Sequence, residues 1–478
     1  MTTQSLTEQQ AVELLHTWID ENTDAMITAL QGVLRIPSLE APAESNAPFG
    51  PTCRQALDYT LQLGESLGFR IHDDAGYAGH LEFGEGEQMV AALGHLDVVP
   101  EGDGWNYPPY GAEIHNGYIY ARGSSDDKGP TYASLFAAAA ILNSGLQLRR
   151  RVRVVVGCNE ESGFGCVRHY WEVANNERPV AAFTPDSRFP LIYAEKGIAG
   201  LTLSTAISSA SNGLTISGLC GGRRPNMVPD FASAVLTGPA DALQSASDTL
   251  AGFWDKNISI EHTGNALHVN AGGKSAHAAR PEGGDNAIAR LARALASLQV
   301  KEWASALDWI NRTSVTTGAA LGIAHTDEVA GPLTSNLGLI ASTEQARIEL
   351  IYNIRYPVTW SFDLLLNNLN PVIAAAGWTL DAKSDAPPLY VPQDKEPVRT
   401  LLRVYREETG DLESQPGTMG GGTYARATPH AVAYGAMFPG GSDGPAHEPN
   451  ERIAITSLVK AAKIYAHALY ALAVAEEL

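Results

Sequence analysis

The chain has 478 residues, of which 44% are hydrophobic and 18% are charged. This length exceeds what one compact core usually holds, so we expect at least two domains. The formal net charge of -20 argues against nucleic acid or an anionic membrane as a partner, because both would repel an acidic protein. Four cysteines in so long a chain do not form a disulfide framework and indicate a reducing compartment.

The N-terminal stretch is polar and acidic, then amphipathic, and it lacks the basic region and short apolar core of a signal peptide. No run of about 18 apolar residues, the length that a membrane helix needs, is present. We therefore predict a cytoplasmic protein.

The first part of the chain alternates strand and helix signals. The pattern predicts a buried strand over Met89 to Val99, a helix over Gly129 to Leu146, and the next strand over Arg151 to Cys158. Pro130 suits the first turn of that helix, and the alanine run after it favours helix. The β-α-β order predicts an α/β fold with a mixed, mostly parallel sheet and helices on both faces.

From Ile198 onward the composition and the pattern of secondary-structure signals change. The chain becomes rich in Thr, Ser, Gly and β-branched residues, and Thr343 to Pro357 alternates like a half-exposed strand. We interpret residues 198–386 as an inserted α+β lid domain. Residues 1–197 and 387–478 would then form the catalytic, metal-binding domain.

Polar side chains follow the first predicted strand and precede the predicted helix. His95 and Asp97 are two residues apart, so in a strand they point the same way. A carboxylate can orient an imidazole toward a metal, but a structural His-Asp pair is the commoner interpretation of this spacing alone. Asp126 and Asp127 precede the helix, where one acid commonly caps. Two acids followed by Lys128 exceed what a cap needs.

Further carboxylates follow the later strands. Glu160 and Glu161 end the second strand, Asp186 follows another apolar run, and His447 lies in a loop near the C-terminus. Carboxyl ends of strands line one edge of an α/β sheet, where acids would repel unless cations neutralise them. Two divalent ions roughly 3.5–4 Å apart would resolve this conflict. Mixed imidazole and carboxylate ligands suit zinc or manganese better than calcium or magnesium. One glutamate could then bind metal while its neighbour acts as a general base.

Ordered motifs along nearly the whole chain resemble the co-catalytic metallopeptidase family. This family includes glutamate carboxypeptidase, aminoacylase, succinyl-diaminopimelate desuccinylase and carnosinase, and within it the motifs resemble the bacterial dipeptidase type known as PepV. The motifs are NAPFG, GHLDVVPEGDGW, ARGSSDDKGP, NEESG, TPDSRFP, GGRRPNMVP, GKSAHAARPEGGDNA, NIRYP, GGGTYAR and HEPNE.

The resemblance implies two divalent metal ions per chain, with zinc first and manganese as the alternative. His95 and Asp186 would bind one ion, Glu161 and His447 the other, and Asp126 would bridge both. It also implies a cis peptide bond between Asp126 and Asp127.

Catalytic roles are implied in the same way. Asp97 would orient His95, and Glu160 would take a proton from a water held between the metals and later pass it to the leaving amine. His277, from the lid, would stabilise the oxyanion. Two small departures from the family pattern are Ala121 and Ala278, where glycine is usual.

The resemblance also implies two groups of substrate-binding residues. Asn226 and Arg355 would hold the substrate from the lid, and backbone N–H groups near Gly421 and Gly422 would receive its carboxylate. Glycine permits the close approach that this last contact needs.

These motifs predict a metal-dependent dipeptidase. A deacylase of N-acetyl or N-succinyl amino acids with the same metal chemistry is the alternative, and a non-catalytic binding or scaffold protein ranks below both because every ligand and the base are present. The long insert further predicts a monomer. Its two similar halves, one with GGRRPNMVP and the other with GKSAH, would let His277 serve its own chain.

Overall fold

The structure is a computed structural model that describes residues 6–207, 213–253, 255–343 and 347–478. The chain divides into two compact units. The first unit comprises Met1–Tyr193, Tyr390–Gly417 and Gly422–Leu478, and the second comprises Ala194–Leu389 and Thr418–Gly421. The predicted insert, 198–386, falls inside the second unit, which also takes in the short segment Thr418–Gly421 from outside that insert.

Within the described residues the α-helices are α1 (Glu8–Glu21), α2 (Thr23–Leu34), α3 (Pro51–Ser66), α4 (Lys128–Ser144), α5 (Gly165–Arg168), α6 (Ala240–Ala251), α7 (Ala287–Ala296), α8 (Ala304–Thr313), α9 (Phe362–Ala375), α10 (Val398–Thr409) and α11 (Ile455–Val474). A π-helical segment spans His169–Val173, and short 3₁₀ segments span Pro281–Gly283, Lys301–Trp303, Ala319–Leu321 and Tyr424–Ala427. None of the described helices has the length and apolar character of a membrane span.

The strands of the described residues are β1 (Arg70–Asp74), β2 (Ala78–Phe83), β3 (Met89–His95), β4 (Glu113–His115), β5 (Tyr118–Tyr120), β6 (Arg151–Gly157), β7 (Ala181–Thr184), β8 (Ser187–Arg188), β9 (Ile192–Glu195), β10 (Gly197–Ala206), β11 (Thr215–Gly221), β12 (Phe231–Thr237), β13 (Ile258–Thr263), β14 (Ala266–Gly272), β15 (Thr326–Asp327), β16 (Gly331–Pro332), β17 (Thr334–Ser342), β18 (Arg347–Tyr356), β19 (Thr379–Ala386), β20 (Leu389–Tyr390), β21 (Gly417–Met419), β22 (Ala431–Ala433), β23 (Ala436–Met437) and β24 (Arg452–Ala454).

The main sheet of the first unit is parallel at its centre. Its order is β1-β2-β6-β3-β7-β22-β9-β20, with β21 paired to β9. The four strands β6, β3, β7 and β22 run parallel, and antiparallel pairs flank them on both sides. Every residue of β3 is buried, as expected for a strand covered on both faces. The predicted α/β class with a mixed sheet is confirmed, and its parallel part is this central group.

Helix α4 lies in the connection between β3 and β6, the first two of these parallel strands in chain order. Pro130 lies in its first turn, where a missing N–H costs little, and Gly145 ends it with φ of 70°. Its alanine-rich surface is buried nearly all round, because it packs against α11, α1 and the sheet. The start of this helix is therefore held firmly beside the sheet edge.

The second unit is built on an antiparallel sheet of eight strands. The order is β13-β14-β12-β11-β17-β18-β10-β19. Burial alternates along β10 and β12, so one face of the sheet packs on helices and the other is more open. The core of this unit includes Leu201, Leu350 and Tyr352, with Trp309 and Trp378 stacked at 5.6 Å between ring centroids.

Candidate metal centre

The predicted metal ligands of the first unit sit where its central strands end. His95 is the last residue of β3, Glu161 follows the end of β6, and Asp186 follows the end of β7. Parallel strands end at the same edge of a sheet, so these side chains are brought together by topology. Asp126 comes just before α4, and His447 comes from the loop between β23 and β24.

Two groups of donor atoms form around one shared carboxylate. His95 Nε2 lies 3.1 Å from Asp126 Oδ1 and 3.9 Å from Asp186 Oδ2. His447 Nε2 lies 3.2 Å from Asp126 Oδ2 and 3.0 Å from Glu161 Oε1. In each group the donor atoms all lie within 4.8 Å of one another. Asp126 thus offers one oxygen to each group.

Asp97 organises the residues around the first group. Its carbonyl oxygen lies 3.0 Å from His95 Nδ1, and its Oδ1 lies 3.6 Å from the same nitrogen. The Asp97 carboxylate also accepts hydrogen bonds from the backbone N–H groups of Glu160 and Glu161, both at 3.1 Å. Asp97 therefore holds the imidazole through its main-chain carbonyl oxygen and the backbone of the glutamate pair through its carboxylate.

The peptide bond between Asp126 and Asp127 is cis, which confirms that prediction. Asp127 is fully buried, and its Oδ2 accepts from His95 N at 3.3 Å and from Thr131 Oγ1 at 2.9 Å. The second acid of the pair therefore supports the strand end and the helix start, while the first faces the donor groups.

The electrostatics of the centre are dominated by closely spaced, partly buried acids. Burial raises the pKa of Glu160 well above its usual value, and burial likewise raises the pKa values of Glu161 and Asp186. Hydrogen bonds to Asp126 and Glu161 raise the pKa of His447 to about 11. Burial opposes the ionisation of Asp126, yet the bonds from His447 and His95 lower its pKa.

This donor set fits divalent cations. Each group combines an imidazole Nε2 with carboxylate oxygens, the donors that zinc and manganese accept. Burial opposes a charge on His95, yet its hydrogen bonds to Asp126 and Asp97 raise its pKa, and the neighbouring acids raise the pKa of His447 as well, so the acids around both imidazoles favour a positive charge, which a cation would supply. Glu160 belongs to neither group and is half-buried beside them. The two adjacent glutamates therefore have different positions relative to the donors.

In the second unit, Asn226 and His277 lie on neighbouring segments. Met227 and His277 form an antiparallel bridge, and Ala278 N donates to Asn226 O at 2.8 Å. Both segments follow strands of the same half of the sheet, β11 and β14. The prediction that GGRRPNMVP and GKSAH would lie in different halves is therefore wrong, because a long-range backbone pairing joins them.

Arg355 is buried at the end of β18. Its Nε donates to Asn353 Oδ1 at 2.8 Å, and its Nη1 donates to Gly420 O at 2.7 Å. Gly421 belongs to the same short segment of the second unit, whereas Gly422 belongs to the first. The bond to Gly420 fixes the backbone just before these two glycines.

Three buried charged residues near the centre have supporting roles that the sequence motifs do not assign. They are Asp127, Lys128 and Glu451. Lys128 Nζ donates to the carbonyl oxygens of Val33 and Ile36 at 3.1 and 2.8 Å, which caps the end of α2. The sequence signal that could have found these three residues is their position inside the motifs. A charged side chain that is buried there needs a hydrogen-bonding partner.

Taken together, the sheet-edge position and the shared carboxylate define the class of hydrolases that work with grouped imidazole and carboxylate donors. The chain belongs to Peptidase family M20/M25/M40, whose model matches residues 91–471. The chain is thus a hydrolase of the peptidase type.

Three individual proteins are similar to this chain over nearly its whole length. The "Putative dipeptidase YtjP" of Bacillus subtilis (strain 168) is 38% identical over 464 residues, covering 94% of this chain and 97% of the relative. The M20 family metallo-carboxypeptidase Sso-CP2 of Sulfolobus solfataricus has a TM-score of 0.58 at 18% identity, covering 93% of this chain and 98% of that one. The dipeptidase Dug1p of Saccharomyces cerevisiae has a TM-score of 0.57 at 14% identity, covering 98% and 99%. The last two similarities describe the fold alone.

Proposed function

We propose that this protein is a metal-dependent dipeptidase that uses two divalent ions, with zinc favoured and manganese as the alternative. The observation that carries the proposal is the shared carboxylate, since Asp126 offers its two oxygens to two separate donor groups. The relative that is named a dipeptidase supports the substrate class, because it is similar over almost the entire length.

His95, Asp126 and Asp186 would hold one ion, and Asp126, Glu161 and His447 would hold the other. When bound, the ions would supply Lewis acidity to the peptide carbonyl and lower the pKa of the attacking water.

Glu160 is the proposed general base. It lies next to a ligand in sequence, takes no part in either donor group, and has its backbone fixed by Asp97. As water attacks the carbonyl carbon, Glu160 takes the proton that water loses. When the C–N bond breaks, Glu160 gives that proton to the leaving amine. The raised pKa of Glu160 suits both transfers, because a carboxylate of lower pKa would accept the proton from water less readily.

The second unit would supply substrate recognition. Asn226 and His277 are joined through the backbone, and Arg355 is anchored to the segment before Gly421. We propose that His277 stabilises the oxyanion, that Asn226 and Arg355 hold the dipeptide, and that the N–H groups near Gly421 and Gly422 receive its carboxylate. The monomeric state, the cytoplasmic location and the finer PepV type stay predictions.

The test is a substrate panel with zinc-loaded and manganese-loaded protein. Dipeptides should be hydrolysed, whereas N-acetyl and N-succinyl amino acids should be poor substrates. Faster release of acetate or succinate than of amino acids from dipeptides would contradict the proposal and favour a deacylase. Chelator-treated protein is the control, and its activity should return on adding either metal.

A further inference from the structure

A single buried carboxylate joins the two chain segments that carry the shared ligand and the loop histidine. Glu451 has no exposed surface and follows His447 by four residues. Its Oε2 accepts from Arg122 Nη1 at 2.6 Å and from Gly123 N at 3.0 Å. Its Oε1 accepts from Ser125 N at 2.8 Å, from Ser125 Oγ at 3.1 Å and from Asp126 N at 3.1 Å. Both oxygens are thus engaged with residues 122–126.

All five of these partners are donors, so the position requires a group that only accepts. A carboxylate meets this requirement, whereas a glutamine would turn its NH₂ group toward at least one N–H. The backbone contributes as well, because Ala121 N donates to Glu451 O at 3.2 Å. The segment that begins with His447 is therefore tied to the one that ends with Asp126 through side chain and main chain together.

The loop that Glu451 holds has little freedom to shift. Gly123 adopts φ of 87°, and a Cβ there would lie 2.8 Å from Val98 Cγ1. Arg122 is fixed from its other side by the carbonyl oxygens of Pro100 and Glu101 at 3.3 and 3.2 Å. Asp126 leaves this loop toward His447, whose Nε2 lies 3.2 Å from its Oδ2. The separation of these two donors therefore depends on how the two segments are joined.

We propose that Glu451 is a positioning residue that sets the geometry between Asp126 and His447, and through it the affinity of their donor group for a metal ion. This inference rests on the proposed two-metal function. Glu451 touches neither substrate nor the ion in this role, and acts only through the Asp126 N–H and the loop before it.

A matched control distinguishes positioning from mere stabilisation. Glu82 is also a buried acid of the first unit, and it pairs with Arg153 Nη2 at 2.6 Å and Nε at 2.9 Å. Arg153 lies in the first half of β6, away from the strand end that leads to Glu160. Glu82→Gln should therefore lower stability without changing metal binding.

The experiment measures zinc affinity by competition with a coloured chelator, together with thermal unfolding of the metal-free proteins. Wild type should bind two zinc ions. In Glu451→Gln, one of the two affinities should weaken by about 10–100-fold, the usual cost of losing a residue that orients a ligand. In Glu82→Gln both affinities should stay within about twofold of wild type. The absorption spectrum of the cobalt-loaded protein should change for Glu451→Gln alone.

The inference is overturned if Glu451→Gln loses stability as Glu82→Gln does but keeps both zinc affinities. If Glu451→Gln does not fold, Ser125→Ala removes one of the five bonds, and we expect it to weaken one affinity by about fivefold; two unchanged affinities would then reject the role. A wild type that binds fewer than two ions would instead reject the proposed function itself.

Discussion

In the first unit, five side chains from separate segments meet at the edge where the central parallel strands of a mixed sheet end, and all five are acids or histidines. In the second unit, Asn226 and His277 lie on segments that follow strands of an antiparallel sheet, and a backbone bond from Ala278 N to Asn226 O joins them. The first arrangement concentrates charge and is suited to cations. The second presents polar groups from a hydrogen-bonded backbone, and we propose that these groups bind the substrate. The comparison predicts that variants of the two units fail in different ways.

The largest effect is expected at the glutamate pair. Glu160→Gln should lower kcat by about 10²–10⁴-fold while two metal ions stay bound, because the proposed base is lost and the proposed ligands remain. Glu161→Gln should weaken metal binding itself. Metal content by atomic emission and kcat by dipeptide hydrolysis check both. Full metal content in Glu161→Gln together with loss of metal in Glu160→Gln would reverse the two assignments.

A second, smaller effect is expected in the other unit. His277→Ala should lower kcat by about 10²–10³-fold, the usual cost of losing an oxyanion donor, and should leave metal content unchanged. His262→Ala is the matched control, because His262 is an exposed histidine of β13 that contacts Ser247 Oγ at 3.1 Å. Loss of metal from His277→Ala would contradict the assignment of metal binding to the first unit and of substrate contacts to the second.

A third prediction concerns the support of the His277 segment. Thr334 Oγ1 donates to Ala278 O at 3.1 Å, so Thr334→Val leaves that carbonyl without this bond. We expect kcat/KM to fall by about fivefold, the equivalent of about 1 kcal/mol. Thr205→Val removes a similar bond, to Gly377 O at 2.9 Å, and should leave kcat/KM unchanged. Equal losses in both variants would argue for a general effect on stability.

The last prediction is that mixing two variants has no effect. If each site is built from one chain, Glu160→Gln and His277→Ala should not restore activity when combined in one sample. Light scattering at low concentration should give a monomer. Recovery toward a quarter or half of wild-type activity would show that the second unit of one chain serves the first unit of another.

The acidic centre is predictable from the sequence because its signals are local. A polar residue at or soon after the end of an apolar run marks a strand end, and this signal groups His95, the Glu160–Glu161 pair and Asp186, whereas the choice of Glu161 as the ligand comes from the family resemblance. Helix α4 is equally clear from its alanine run and Pro130, and its observed bounds, Lys128–Ser144, differ little from those predicted.

The remaining features depend on contacts between distant residues. The pairing of Met227 with His277 joins segments fifty residues apart, and nothing in the local alternation of either segment specifies it. Glu451 binds Asp126 N across 325 residues, so spacing along the chain does not reveal its role. Such buried polar partners are set by the folded chain as a whole.

The order of the proposed ligands along the chain has a consequence for synthesis. His95, Asp126 and Asp186 have all been translated once residue 186 is made, but His447 follows only after about 260 more residues, which include the whole second unit. At about 5–20 residues per second, the nascent chain spends roughly 13–50 seconds with one donor group complete and the other open. Helix α11, which packs on α4, is translated later still. A ribosome-bound chain stopped before residue 447 should therefore hold at most one metal ion, and only the finished chain should become an enzyme.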